Sequence, residues 1–343
     1  MNILITGGAG FIGSHTALLL MLSGFEVIIL DNLCNSSSES LMRVERLAGR
    51  PPIFVQGDVR DGALLGRLFA QYSFKSVLHF AGLKAVGESL SEPLRYYDNN
   101  VYGSQALLKA MSDAGVFTLV FSSSATVYGD PTQIPISEGA SLGHQTNPYG
   151  RSKLMVEDML RDLVLSDPRW HIAVLRYFNP IGAHESGLMG EEPNGTPNNL
   201  LPYITEVAAR KLPELAVYGN DYPTQDGTGI RDYIHVMDLA EGHLRALEAL
   251  EMRTGINVWN LGTGKGYSVL EIVRAFEVES GRQVPCRIVP RRAGDIAICY
   301  ADASKAEREL GWVARRGLSE MMRDAWLWKV KNPNGYQVDG DSE

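Results

Sequence analysis

A doubly wound α/β fold, with a smaller α/β lobe in the C-terminal half, is what this 343-residue sequence predicts. Three observations carry that expectation. The apolar run Asn2-Ile3-Leu4-Ile5-Thr6 leads into Gly7-x-x-Gly10-x-x-Gly13 and then into helix-forming sequence. Further near-continuous apolar runs recur between helical stretches, as strands of a parallel sheet do when both faces are covered. Past Asn179 the texture changes to loops rich in Gly, Pro and Asn over residues 182–199, followed by short helices and strands. The length exceeds one average domain, in keeping with two lobes.

The elements follow in order. A helix is expected over 14–23, stopped by Gly24, then strands over 26–30, 53–55, 77–80 and 118–121. The next helix is the best signalled. Asn147 can cap it, Pro148 suits its first turn, and Val156, Met159, Leu160, Leu163 and Val164 make one apolar stripe. Asp167-Pro168 ends it, and residues 172–175 resume the sheet. The first lobe is expected over 1–178 and again over 230–260. The second takes 179–229 and 261–338, and 339–343 is a polar flexible tail.

Composition narrows the function. With 45% hydrophobic and 21% charged residues the chain reads as an ordinary globular protein. A net charge of -8 argues against a general nucleic-acid or anionic-membrane surface. No apolar run is long enough to span a bilayer, and no secretory leader is expected ahead of the first strand. Cys34, Cys286 and Cys299 form neither a disulfide framework nor a zinc pattern, and the seven histidines show no ligand spacing. A cytoplasmic location is expected, so the sequons at Asn35 and Asn194 are read as chance matches.

The glycine turn between a strand and a helix offers a dinucleotide site, where backbone can approach a pyrophosphate at the helix N-terminus. Asp31 ends the second strand near the ~20-residue interval expected of a ribose-binding acid. Its carboxylate would accept from ribose hydroxyls and repel a 2′-phosphate, which favours NAD over NADP. Asp58-Val59 could contact the adenine, although Asp58 could equally be a capping acid. Phe80-Ala81-Gly82 would let the cofactor lie against backbone, with Lys84 and Asn99 as polar contacts.

Tyr149-x-x-x-Lys153, downstream of Ser122-Ser123-Ser124, supplies the chemistry. A free phenol has a pKa of ~10, too high for a base at neutral pH. Lys153 lies one helical turn away, and its charge favours the phenolate. Tyr149 can then take an alcohol proton while hydride leaves, with Ser124 bonding the same oxygen.

These residues resemble the extended short-chain dehydrogenase/reductase family, and within it the UDP-glucose 4-epimerases. The resemblance runs over roughly 1–333 and rests on TGGAGFIGSH (6–15), DNLCNS (31–36), HFAGLKAVGES (79–89), SSSATVYG (122–129), YGRSK (149–153), LRYFNPIGAH (175–184), PNNLLPYI (197–204), GIRDYIHVMDLA (229–240) and PRRAGD (290–295). It implies a Rossmann sheet, a tightly held NAD, a UDP-hexose substrate and a homodimer built by helix packing. The sugar's 4-hydroxyl would be oxidised to a 4-keto sugar, which turns over and takes the hydride back on its other face. Among cofactor contacts it adds Phe11, Ile12, Asn32, Asn35, Ser36 and Phe178. For the nucleotide sugar it implies Ser124, Tyr149, Asn179, Asn199, Leu200, Ala216, Tyr218, Arg231, Tyr233, Arg292 and Asp295. The guanidinium forks of Arg231 and Arg292 suit a diphosphate.

Cys299 departs from the bulky tyrosine found at the family's gate beside the sugar's 2-substituent. A small residue there admits N-acetylhexosamines, so UDP-GalNAc and UDP-GlcNAc are expected substrates too. Tyr300 could partly refill the space. Two other readings compete. A nucleotide-sugar 4,6-dehydratase or decarboxylase is one, but Ala125-Thr126 follows Ser124 where a dehydratase needs an acid and base. A non-catalytic NAD-binding regulator is the other, though it would not be expected to keep all of Ser124, Tyr149 and Lys153. Gly262-Thr263-Gly264-Lys265 only hints at a phosphate loop, since Gly266 stands where Ser or Thr is needed, and it is read as a turn between lobes.

Overall fold

The computed structural model describes residues 1–143, 145–193, 195, 197–292 and 294–337. The sequon at Asn194 and the tail 339–343 lie outside the described residues. In chain order the first half runs β1 (Asn2–Thr6), α1 (Phe11–Leu22), β2 (Glu26–Asp31), α2 (Glu39–Ala48), β3 (Ile53–Gln56), α3 (Gly62–Gln71), β4 (Phe74–His79), α4 (Val86–Ser91), α5 (Pro93–Tyr96), a π-helical turn (Tyr97–Tyr102), α6 (Gly103–Asp113), β5 (Thr118–Ser124), α7 (Pro148–Ser166) and β6 (His171–Tyr177). The second half adds β7 (Asn179–Ile181), α8 (Leu200–Ala208), β8 (Leu215–Tyr218), β9 (Ile230–His235), α9 (Val236–Ala249), β10 (Gly255–Leu261), β11 (Gly266–Ser268), α10 (Val269–Ser280), β12 (Cys286–Val289), β13 (Ile298–Cys299), α11 (Ser304–Leu310) and α12 (Leu318–Lys331). Among the described residues no helix is long and apolar enough to cross a membrane.

Seven parallel strands form the main sheet in the order β10-β6-β5-β4-β1-β2-β3. Alternate residues feed opposite faces, and both faces are buried. Ile3, Ile5, Val27 and Ile29 enter one core with α1 and α9 residues, while Leu4, Ile28 and Leu30 enter the other with α3, α6 and α7 residues. That is why the strands read as unbroken apolar runs. The order reverses between β1 and β4, and ligands of such sheets bind in the crevice beyond the strand ends there.

The first helix begins at Phe11, three residues before its expected start. Gly10 is its N-cap, and Gly13, inside it, has to be glycine because a Cβ there would come within 2.3 Å of the Gly7 carbonyl oxygen. Residues 230–260 divide between the lobes. α9 and β10 join the main domain, with α9 packed on α1 and β10 paired to β6. β9 instead pairs with β7, β11 and β13 in a small second sheet, because its register carries Tyr233 into the smaller lobe's core. α11 and Trp312 pack with the main domain although they follow the second lobe.

The Gly262–Lys265 stretch joins the two sheets and cradles a carboxylate. Asp232, fully buried on β9, accepts from Thr263 N at 2.8 Å, Thr263 Oγ1 at 2.6 Å, Gly264 N at 3.0 Å and Ala301 N at 3.1 Å. A Cβ on Gly262 would sit 2.6 Å from Asp232 Oδ2, so only glycine lets the strands close here.

Candidate active site

The cleft opens over the ends of β1, β2, β4 and β5. Gly7 turns the chain at φ +70°, and a Cβ on it would lie 2.6 Å from the Ala81 nitrogen. Without a side chain, β1 can therefore pack its exit against Phe80-Ala81. Gly10 has open space, with only the Gly7 oxygen at 3.4 Å. The N-terminus of α1 carries no side-chain cap and no acid in its first turn, so its amides remain available to an anion. This cradle fits a dinucleotide pyrophosphate.

Asp31, at the end of β2, accepts from Ala9 N at 3.0 Å, Leu33 N at 2.9 Å and Ser36 Oγ at 2.9 Å. Its carboxylate is thus aimed by the glycine turn and by the loop carrying Asn35, which is itself exposed. Asp58 does not cap α3, a task Asp61 performs by accepting from Leu64 N at 2.9 Å. It holds Asn32 Nδ2 at 2.9 Å and the Arg60 guanidinium, whose hydrogen bonds keep its carboxyl well below the usual range. Val59 and Phe178 are buried, while Phe11, Ile12, Phe80 and Ala81 are partly exposed along the cleft. Asn99 lies half-buried in the π-helical turn, a distortion common at functional sites. Its neighbour Asn100 clips Leu83 through both amide groups and donates to Ser152 at 3.0 Å, which fixes the loop holding Gly82 and Lys84 against α7.

The reacting groups meet where β5 ends beside α7. Asn147 caps α7 by accepting from Gly150 N at 2.8 Å, and Pro148 occupies its first turn. Ser124 accepts from Thr126 N and Thr126 Oγ1 at 3.2 and 3.0 Å, and its hydroxyl favours the ionised form of the Tyr149 phenol. Burial pushes that phenol above its ordinary value, opposed by Ser124 and by the charge of Lys84.

Lys153 lies one turn further along α7. It is buried, donates to the Ser122 carbonyl at 2.8 Å and lies 5.1 Å over the Phe121 ring. Burial pulls its ammonium down to about 8, so it gives up its proton before the phenol does. The charge that acts on the Tyr149 phenol is that of Lys84.

Arg292 pairs with Asp295 at 3.1 Å and lies 5.4 Å over the Tyr218 ring, while Arg291 turns to Asp221 and Tyr222 instead. Ala216 shares β8 with Tyr218, and Asn179 is exposed at the start of β7. Asn199 occupies the N-cap position of α8, ahead of Leu200, but makes no cap bond; its amide donates to Glu191 at 2.7 Å. Arg231, on β9, bonds the Ile230 carbonyl at 2.8 Å beside Gly229. Tyr233 is buried among Ile181, Leu201 and Ile204. Cys299 is paired with Arg231 and buried among Ala125, Val127 and Phe178, Ala125 being the residue after Ser124. The Tyr300 ring packs on the opposite side against Gly266, so it does not refill that space.

Sequence reasoning missed a buried ionic network beneath the site. Glu157, fully buried on α7, accepts from Ser123 Oγ at 2.6 Å, Arg176 Nε at 3.0 Å, Arg176 Nη2 at 2.6 Å and Arg161 Nη2 at 2.8 Å. Arg176 continues to Tyr128, whose hydroxyl donates to Asn260 at 2.6 Å. Glu157 follows Lys153 by one turn on the same helical face, and an arginine inside an apolar strand was the matching signal.

Strand-end serine, Tyr-x-x-x-Lys helix and dinucleotide cradle together define an oxidoreductase site of the extended short-chain dehydrogenase/reductase class. The family described as GDP-mannose 4,6 dehydratase matches residues 4–325. The UDP-glucose 4-epimerase of Neisseria gonorrhoeae is 59% identical over 336 residues, 98% of this chain and 99% of that protein. The Bifidobacterium longum UDP-glucose 4-epimerase, solved in complex with NAD+ and UDP, superposes with a TM-score of 0.96 at 54% identity, covering 98% of this chain and 100% of that one. The Stenotrophomonas maltophila enzyme, with bound NAD and formylated UDP-arabinopyranose, gives 0.95 at 55% identity, covering 97% and 99%. The chain belongs to the UDP-glucose 4-epimerase family.

Proposed function

We propose that this chain interconverts UDP-galactose and UDP-glucose, with Tyr149 as the acid–base group at the sugar's 4-oxygen. The observation that carries the assignment of roles is the placing of Ser124, at the end of β5, where it acts on the Tyr149 phenol of α7, beside the open cradle of Gly7, Gly10 and Gly13. Bound NAD supplies a reversible hydride acceptor at its nicotinamide. The amides at the α1 N-terminus and the Asp31 carboxylate hold its pyrophosphate and adenosine ribose. Tyr149 takes the 4-hydroxyl proton and returns it after the keto sugar has turned over, while Ser124 bonds the same oxygen in both directions. Arg231 and Arg292 grip the diphosphate, so the hexose can rotate while the nucleotide stays fixed.

Dehydration is disfavoured by the chain's own residues. Ala125 and Thr126 follow Ser124, and the Thr126 hydroxyl is spent on Ser124 at 3.0 Å. No carboxyl stands there to protonate a leaving hydroxyl. The small buried Cys299 beside Ala125 supports activity on UDP-GalNAc and UDP-GlcNAc as well. Exposed Leu90, Leu94, Tyr102 and Met155, on elements packed around α7, support the homodimer. Three widely spaced cysteines support a cytoplasmic location.

The test is to incubate the purified protein, without added NAD, with UDP-galactose and UDP-GalNAc in one tube, following the anomeric protons by NMR. Conversion of both supports the epimerase and the open gate. Conversion of UDP-galactose alone removes the gate. Bound NAD with neither sugar converted returns the regulator reading.

A further inference from the structure

Glu191 lies on neither the glycine turn nor the Tyr-x-x-x-Lys helix, yet it touches both halves of the cleft. Its Oε1 accepts from Lys84 Nζ at 2.8 Å and from Asn199 Nδ2 at 2.7 Å. Lys84 follows β4 on the cofactor side, and Asn199 precedes α8 on the nucleotide-sugar side. The carboxylate is only 9% exposed, although both donors are surface residues.

The backbone beneath it is fixed from the C-terminal end of the chain. Trp328 Nε1 donates to the Glu191 carbonyl at 3.2 Å, and Gly190 N donates to the Tyr336 hydroxyl at 3.2 Å. A Cβ on Gly190 would lie 2.4 Å from the Trp328 ring, so glycine lets the loop press onto α12. Asn332 Nδ2 and Lys331 Nζ hold the Gly187 and Ser186 carbonyls of the same loop at 2.8 and 2.9 Å. α12 and its C-terminal turn thus buttress the loop that presents one carboxylate oxygen between the lobes. A group held this firmly loses little entropy when it orients its partners.

We infer that Glu191 is a positioning residue that fixes the Asn199 amide for the UDP moiety by tying it to Lys84 across the cleft. This rests on the nucleotide-sugar reading of Asn199. With Nδ2 held by Glu191, the Asn199 carbonyl end has one orientation to offer a ligand. Losing a charge-assisted bond of this kind weakens ground-state binding by roughly tenfold.

The experiment compares Glu191→Ala and Glu191→Gln holoenzymes with wild type, reading KM and kcat for UDP-galactose, bound NAD per chain and UDP affinity by calorimetry. Glu191→Ala should raise KM and the UDP dissociation constant about tenfold, with kcat within about threefold and NAD content unchanged. Glu191→Gln keeps an acceptor oxygen and should stay within about threefold of wild type. Glu191→Ala and Asn199→Ala should be non-additive in UDP affinity. Unchanged KM in Glu191→Ala, a loss confined to kcat, or strict additivity would overturn the inference. A wild type that binds UDP but epimerises nothing would fail the functional reading instead, and the affinity cycle would still decide on Glu191.

Discussion

Replacing Glu157 by Gln keeps the side chain's size and removes its charge at a fully buried position. Both carboxylate oxygens are in use, and each takes a guanidinium hydrogen bond from Arg176. A glutamine must turn its NH2 group toward a guanidinium or toward Ser123, donor against donor. Breaking a buried pair by neutralising one partner costs about 3–5 kcal/mol, because the other charge stays buried. At about 2 °C per kcal/mol for a chain of this size, the melting temperature should fall by roughly 6–10 °C. The same carboxylate fixes α7, which carries Tyr149 and Lys153, to β5 and β6, so kcat should fall about tenfold or more with the misplaced base. Scanning calorimetry at matched cofactor content, with turnover of UDP-galactose, reads both effects. Arg161→Gln is the control. Its guanidinium is one-third exposed, so the loss should stay within about 1 kcal/mol. A Glu157→Gln protein melting within 2 °C of wild type (about 1 kcal/mol) with unchanged kcat would refute the reasoning.

Three further outcomes are expected. Tyr149→Phe should lower kcat by about 10²–10⁴ while UDP affinity, by calorimetry, stays near wild type. Burial holds Lys153 at about 8, so its charged form predominates below that pH and is lost above it. The kcat/KM profile should therefore decline through an alkaline limb near pH 8, and Lys153→Arg should lack that limb, arginine staying protonated. Cys299→Tyr should abolish UDP-GalNAc conversion and spare UDP-galactose in paired progress curves; equal loss of both would count against the gate.

The fold was legible because its strongest signals are local. Buried strands such as β1, β5 and β6 announce themselves as apolar runs, and Asn147-Pro148 marks the start of α7 from its own residues. Candidates for the site stood out in the sequence where chemistry and spacing coincide, at Gly7 to Gly13, Asp31, Ser124, Tyr149 and Lys153. What escaped depends on partners far apart in sequence. Glu191 meets Lys84 across 107 positions, and Asp232 meets Ala301 across 69. Nothing at residue 191 or 232 alone betrays such a partner. The burial of Lys153 was not legible, because helical spacing reports proximity and not burial.

The central claim is that one hydride leaves carbon 4 of the sugar and returns to the same carbon without leaving the protein. The direct measurement uses UDP-galactose deuterated at C4, with no NAD added, and locates the label in the product by NMR and mass spectrometry. The account predicts UDP-glucose that keeps its deuterium at C4 through many turnovers, with none released to water. UDP-glucose carrying solvent hydrogen at C4, or product that forms only when NAD is supplied stoichiometrically, would contradict it.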